Sequence, residues 1–169
     1  MDPDQYILLE PVLDFSFHQF FVFDPIDAAG GHHIPRSTEA HLQQGFARLE
    51  TSVAFNTIEL FGDATVTIFF LPYEKFAEYQ RVIAVPLENR SGKIGVESVE
   101  AYVRHRQFSI QPGHYRLTAA QCVVDEEREV IDLFFERLKA PMARSEIILA
   151  DDMLEGAPFP LLETCERLR

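Results

Sequence analysis

Cysteine is scarce in this 169-residue chain, with Cys122 and Cys165 its only representatives. They stand in no CxxC spacing and have no histidine cluster around them, which excludes a disulfide framework and a structural zinc knuckle; both are expected as reduced thiols. No apolar run reaches the length of a membrane span. The opening Met1-Asp2-Pro3-Asp4 carries acids where a secretory signal carries Lys or Arg, so the sequence predicts a cytoplasmic protein. Motifs of catalysis are missing as well: there is no phosphate-cradling GxGxxG or GxxxxGK[ST], no GxSxG elbow and no HExxH helix.

Positive charge is also short. Fifteen Lys and Arg face 27 Asp and Glu, a net charge of −12. A surface that grips nucleic acid needs a basic footprint, so direct binding to DNA or RNA is disfavoured and a basic partner is favoured. The imbalance is local. Residues 1–35 hold six acids and no Lys or Arg, residues 36–119 hold nine of each, and residues 120–169 hold twelve acids against six bases. The two ends therefore carry −6 each, and would form one acidic face if they converge in space.

What the chain does have is apolar mass: 47% hydrophobic residues, 15 of them Phe. Such a composition can offset the entropy of ordering and excludes disorder. One domain, residues 1–169, is the partition expected from this length and from the absence of repeats or low-complexity linkers. Phe15, Phe17, Phe21 and Phe23 recur at period two across DFSFHQFFVF and predict a pleated strand with an apolar face. Strands are also predicted over 65–71, 81–87, 93–99, 102–110, 114–124 and 145–152. Asn89-Arg90-Ser91-Gly92 and Gln111-Pro112-Gly113 supply hairpin chemistry. The segment 125–139 has either helical or strand periodicity, and its β-branched and aromatic residues before Pro141 tip it toward strand, with Asp125 to Arg128 as the hairpin turn. One helix is expected after a Ser37 or Thr38 cap, with Leu42, Phe46, Leu49 and Val53 on one stripe. The fold class is mainly β: an antiparallel β-sandwich with one or two short helices.

Four segments, FSFHQFFVFDP (15–25), RVIAVPLE (81–88), GKIGVESV (92–99) and FSIQPGHYRLTAAQ (108–121), resemble the competence protein J family in order and spacing. The most particular pieces are the strand with Ser16, His18, Gln19 and Phe20, and the hairpin Pro112-Gly113-x-Tyr115-Arg116-Leu117. The resemblance implies a non-enzymatic inhibitor or immunity protein that binds and silences a DNA nuclease; with no nucleophile, base or ligand set placed by the sequence, neither cofactor nor metal is expected. An acidic surface imitating phosphates would suit a site built to attract DNA. On charge, the candidate partner-binding residues are Asp24, Asp27, Asp125, Glu126, Glu127, Glu129, Asp132, Asp151 and Asp152. Two other classes stay open: a metal-dependent hydrolase using Asp24, Asp27, His32 and His33 in the loop DPIDAAGGHHIP, and a β-sandwich interaction module with another partner.

Overall fold

The computed structural model describes residues 5–9, 13–15, 18–28, 31–98, 106–126 and 128–168. Two β-sheets face each other across an apolar core. The seven-stranded sheet has the order β1 (Tyr6–Leu8), β6 (Gly62–Phe69), β11 (Arg128–Leu138), β10 (Gly113–Asp125), β7 (Arg81–Asn89), β12 (Glu146–Leu149), with β2 (Leu13–Phe15) also on β6. The five-stranded sheet runs β4 (Phe46–Arg48), β5 (Ser52–Asn56), β3 (Gln19–Phe23), β8 (Lys93–Ser98), β9 (Arg106–Ser109). Every described pairing is antiparallel except β6 with β11. Among the described residues no helix is long and apolar enough to cross a membrane, and both cysteines are free thiols.

The period-two phenylalanines are not one strand. Phe15 ends β2 in the seven-stranded sheet, and β3 belongs to the five-stranded one. The break lies at His18, whose positive φ of 59° turns the chain between the layers; Phe17 lies outside the described residues. Within β3, Phe20 and Val22 enter the inter-sheet core while Phe21 and Phe23 pack on the opposite face, under Ala28 and Ile34 of the loop that follows. A strand buried on both faces reads as a continuous apolar run, which is why FFVF does not alternate. The segment 70–80 covers the other sheet in the same way, placing Leu71, Tyr73 and Ala77 on Phe69, Tyr79, Val82 and Phe134.

The two predicted hairpins are corners. Asn89–Gly92 carries the chain from β7 to β8, and Gln111–Gly113 from β9 to β10; both pass from one sheet to the other. Turn residues fix a reversal of direction, and whether the next strand pairs with the last is decided by packing. Asp125–Arg128 does close a hairpin, between β10 and β11, and the ambiguous segment is strand over Arg128–Leu138. His105 lies outside the described residues.

The helix α1 (Glu39–Gln44) is N-capped by Thr38 but has only six residues. Gly45, at φ 84°, ends it with its N–H on the Leu42 carbonyl, and Phe46 starts β4. The stripe read as one helix face is therefore split: Phe46 and Val53 reach the core from β4 and β5, and Leu42 is 47% exposed.

Candidate protein-docking site

One end of the sandwich, where β10 finishes and β7 and β11 begin, is built on buried polar side chains. Strand register puts Gln121 beside Arg81. Arg81 is fully buried: its Nε and Nη2 donate to Asp151 Oδ1 and Oδ2 at 3.2 and 2.7 Å, and its Nη1 donates to the carbonyls of Asn56 and Thr57 at 3.0 and 3.4 Å. Gln121 Nε2 donates to the same Asn56 carbonyl at 3.0 Å and lies 3.5 Å from Glu129 Oε2. Glu129 Oε1 accepts the Glu59 N–H at 2.6 Å. Burial pushes the Glu129 carboxyl up to about 7, against the opposing pull of the Glu59 and Ile58 N–H groups, Gln121 and the Arg81 charge.

Arg81 and Gln121 hold Asn56 and Thr57, where β5 runs out into the loop 57–61, and Glu129 holds Glu59 within it. The Thr57 hydroxyl donates to the Glu59 carbonyl at 2.6 Å, the Thr57 N–H to the His18 carbonyl at 2.8 Å, and the His18 N–H to the Leu60 carbonyl at 3.1 Å. At the tip of this pinned loop Leu60 and Phe61 are 49% and 58% exposed, and Val124, at the end of β10, is 59% exposed. A row of charged residues crosses the same end of the sheet, beginning two residues after Phe61. Asp14 pairs with Asp63 across β2 and β6, Asp63 with Arg128 across β6 and β11, and Arg128 with Asp125 across β11 and β10. Arg128 Nε donates to Asp125 Oδ2 at 2.9 Å. Glu126 is exposed beside them.

The nine acids singled out from sequence separate into different roles. Asp125 and Glu126 sit exposed at this end, and Glu127 lies outside the described residues. Asp151 serves the same end as the partner of Arg81, and exposed Asp152 opens the short 3-10 turn Asp152–Leu154. Glu129 is buried beneath it. Asp132, three residues further along β11, is buried elsewhere: the Tyr79 hydroxyl donates to its Oδ2 at 2.5 Å, and burial raises both pKa values. Asp24 lies at the opposite end of β7, about 26 Å away for a nine-residue strand. It is fully buried and accepts the N–H groups of Ile26, Arg90 and Ser91 at 3.0, 2.6 and 2.9 Å, plus Asn89 Nδ2 at 3.2 Å. Burial would raise its pKa, yet the hydrogen bonds from Ser91, Ile26 and Arg90 prevail and hold it below the usual carboxylate value. Asp27 closes the 3-10 turn that Asp24 caps.

The loop of the hydrolase reading is a cover. His33, packed on the Phe23 ring at 4.3 Å between centroids, contacts Glu97 Oε1 of β8 through Nε2 at 2.7 Å and latches the loop to the five-stranded sheet. His32 is exposed, and its carbonyl accepts from Arg167. Among the described residues no group of three His, Cys, Asp or Glu side chains is placed to hold a metal ion.

The charge pattern of the sequence pointed to acids but missed Arg81, Gln121, Leu60 and Phe61. The one available signal was an arginine opening the otherwise apolar RVIAVPL.

A family model described as competence protein J (ComJ) matches residues 12–140, three quarters of the chain. The chain belongs to the ComJ family. Among solved structures, ComJ from Bacillus subtilis, described as an inhibitor of the DNA degrading activity of NucA, has a TM-score of 0.65 at 18% identity, over 79% of this chain and 98% of its own. A chain described as crocagin biosynthetic gene J has a TM-score of 0.48 at 14% identity, over 76% of this chain and 97% of its own. A search of curated proteins finds no match. The Bacillus likeness places this ComJ-family chain in the same two-sheet fold.

Proposed function

We propose that this protein is a non-enzymatic inhibitor that binds a basic, DNA-degrading nuclease in the cytoplasm through an acidic surface and binds no DNA itself. The observation that carries the reading is membership of the ComJ family, whose Bacillus member shares the fold and is described as an inhibitor of a DNA-degrading activity. The exposed acids Asp125 and Glu126, with Asp14 and Asp63 in the same row of strands, support the end described above as the contact surface. A nuclease site must attract a polyanion, so a surface of carboxylates meets a field already in place. Asp24, Glu129 and Asp132 are spent inside the protein and lend the surface no direct contact.

The test is inhibition of DNA degradation by the cognate nuclease, recovered by pull-down from native extract. Replacing Asp125, Glu126 and Glu127 by Lys should weaken inhibition by about 100-fold, the equivalent of some 3 kcal/mol. Reversing the exposed Glu50 and Glu74, away from this end, should change it less than about threefold. Equal inhibition by the first variant, with its fold intact, rejects the acidic surface; failure of the parent protein to inhibit any nuclease rejects the inhibitor reading itself.

A further inference from the structure

Single exposed apolar residues are ordinary on protein surfaces. The loop 57–61 is different because of what holds it. Buried Arg81 and Glu129 hold its backbone at Thr57 and Glu59, buried Gln121 and Arg81 hold Asn56 just before it, all from elements distant in sequence, and its tip puts two large apolar side chains into solvent. Burying an arginine and a glutamate to fix a loop is an expensive arrangement unless the position of the tip matters. A tip already locked loses little conformational entropy when a partner closes over it, and this is the condition for an apolar side chain to act as a strong anchor.

We propose that Leu60 and Phe61 form the apolar anchor of the inhibitor, inserted into a recess on the cationic face of the nuclease, while Asp63, Asp125 and Glu126 at the same end of the sheet form its charged rim. This inference rests on the inhibitor reading. Charge complementarity selects the occupant: exposed Asp63 follows the apolar tip by two residues, Asp14 lies beside Asp63 on the next strand, and Asp125 and Glu126 close the same end of the sheet, carboxylates that would repel a nucleic acid and attract a face rich in Lys and Arg. The layout follows the common anatomy of tight interfaces, an aromatic centre that is desolvated on binding and a polar rim that steers approach. β2, β6, β11 and β10 are successive neighbours, so the row Asp14, Asp63, Arg128, Asp125 spans about 14 Å, the width of a compact docking patch.

The experiment uses the full chain and the nuclease that the parent inhibits. Leu60→Ala with Phe61→Ala should raise the inhibition constant at least 30-fold, mainly through faster dissociation, and leave the melting temperature within about two degrees because both side chains are largely exposed. Phe61→Leu should retain most of the inhibition. Ile26→Ala, which removes an equally exposed apolar side chain at the opposite end, should leave inhibition unchanged. Inhibition by the double variant within twofold of the parent overturns the anchor while the inhibitor reading stands. A parent protein that inhibits no nuclease overturns both, since the anchor then has no partner to enter.

Discussion

At the scale of single residues, the fold uses carboxylates in opposite ways. Asp24 is buried with enough donors around it to remain charged, whereas Glu129 is buried with too few, and its carboxyl is pushed up to about 7. The sign follows from linkage. A carboxyl whose folded pKa lies above its unfolded value near 4.5 binds more protons in the native state, so its contribution is greatest below about 4.5 and is lost as pH rises through 7. Asp132 adds to the same slope and Asp24 opposes it, so the parent's pH profile is a sum. Subtracting the profile of Glu129→Gln isolates one group. Urea unfolding at intervals from pH 4.5 to 8 should show a difference between parent and variant that changes by up to about 3 kcal/mol over this window and levels off above it. A flat difference would mean that Glu129 titrates normally and that the Glu59 N–H, Gln121 and Arg81 already compensate its burial in full. None of this was legible in the sequence, where Glu129 and Asp132 look like two more members of a solvated acidic run; alternation along β11 sends Glu129 to the inter-sheet side with Ile131 and Leu133 and Asp132 to the opposite face, where Tyr79 of the segment 70–80 covers it.

At the scale of elements, the strands were legible and their partners were not. Period-two patterns and β-branched residues marked β7, β8, β10 and β11 because those features depend only on local pleating. Pairing depends on contacts distant in sequence. The corners at Asn89–Gly92 and Gln111–Gly113 carry ordinary turn residues and still switch sheets. The helix shows the same limit: its apolar spacing ran through Phe46 and Val53, but Gly45 stops it after six residues. Packing also holds that stop in place. A Cβ on Gly45 would lie 2.8 Å from Ile83 Cδ1 and 3.0 Å from Leu154 Cδ2, at a φ that favours glycine. Gly45→Ala should therefore destabilise by about 2 to 3 kcal/mol, combining left-handed strain with overpacking. Gly92→Ala has a similar φ of 80° but its nearest contact is 3.5 Å, so it should lose only about 1 kcal/mol. Equal losses in denaturant titrations would remove packing from the explanation and leave strain alone.

At the scale of the whole molecule, the described acids of the two chain ends come together in part. Asp24 and the Asp125 hairpin lie at opposite ends of the sandwich, whereas Asp14, also from the acidic first segment, shares a row of strands with Asp63, Arg128 and Asp125, and Asp63 comes from the charge-balanced middle. The apolar tip next to Asp63 separates two contributions to binding that salt can tell apart. Carboxylates around a docking patch act mainly on approach, so the association rate should fall about tenfold between 20 and 300 mM salt as the screening length shrinks. An apolar anchor acts after contact, so the dissociation rate should stay nearly constant over the same range. Measuring both rates by surface-immobilised nuclease at five salt concentrations gives the partition directly. In the Asp125, Glu126, Glu127 reversal the association slope should flatten or change sign, with dissociation altered less; in the Leu60, Phe61 double variant the slope should match the parent while dissociation accelerates. An association rate indifferent to salt in the parent would refute electrostatic mimicry, leaving the apolar tip as the sole basis of recognition, and a salt-sensitive dissociation rate would place the carboxylates inside the desolvated centre of the interface instead of at its rim.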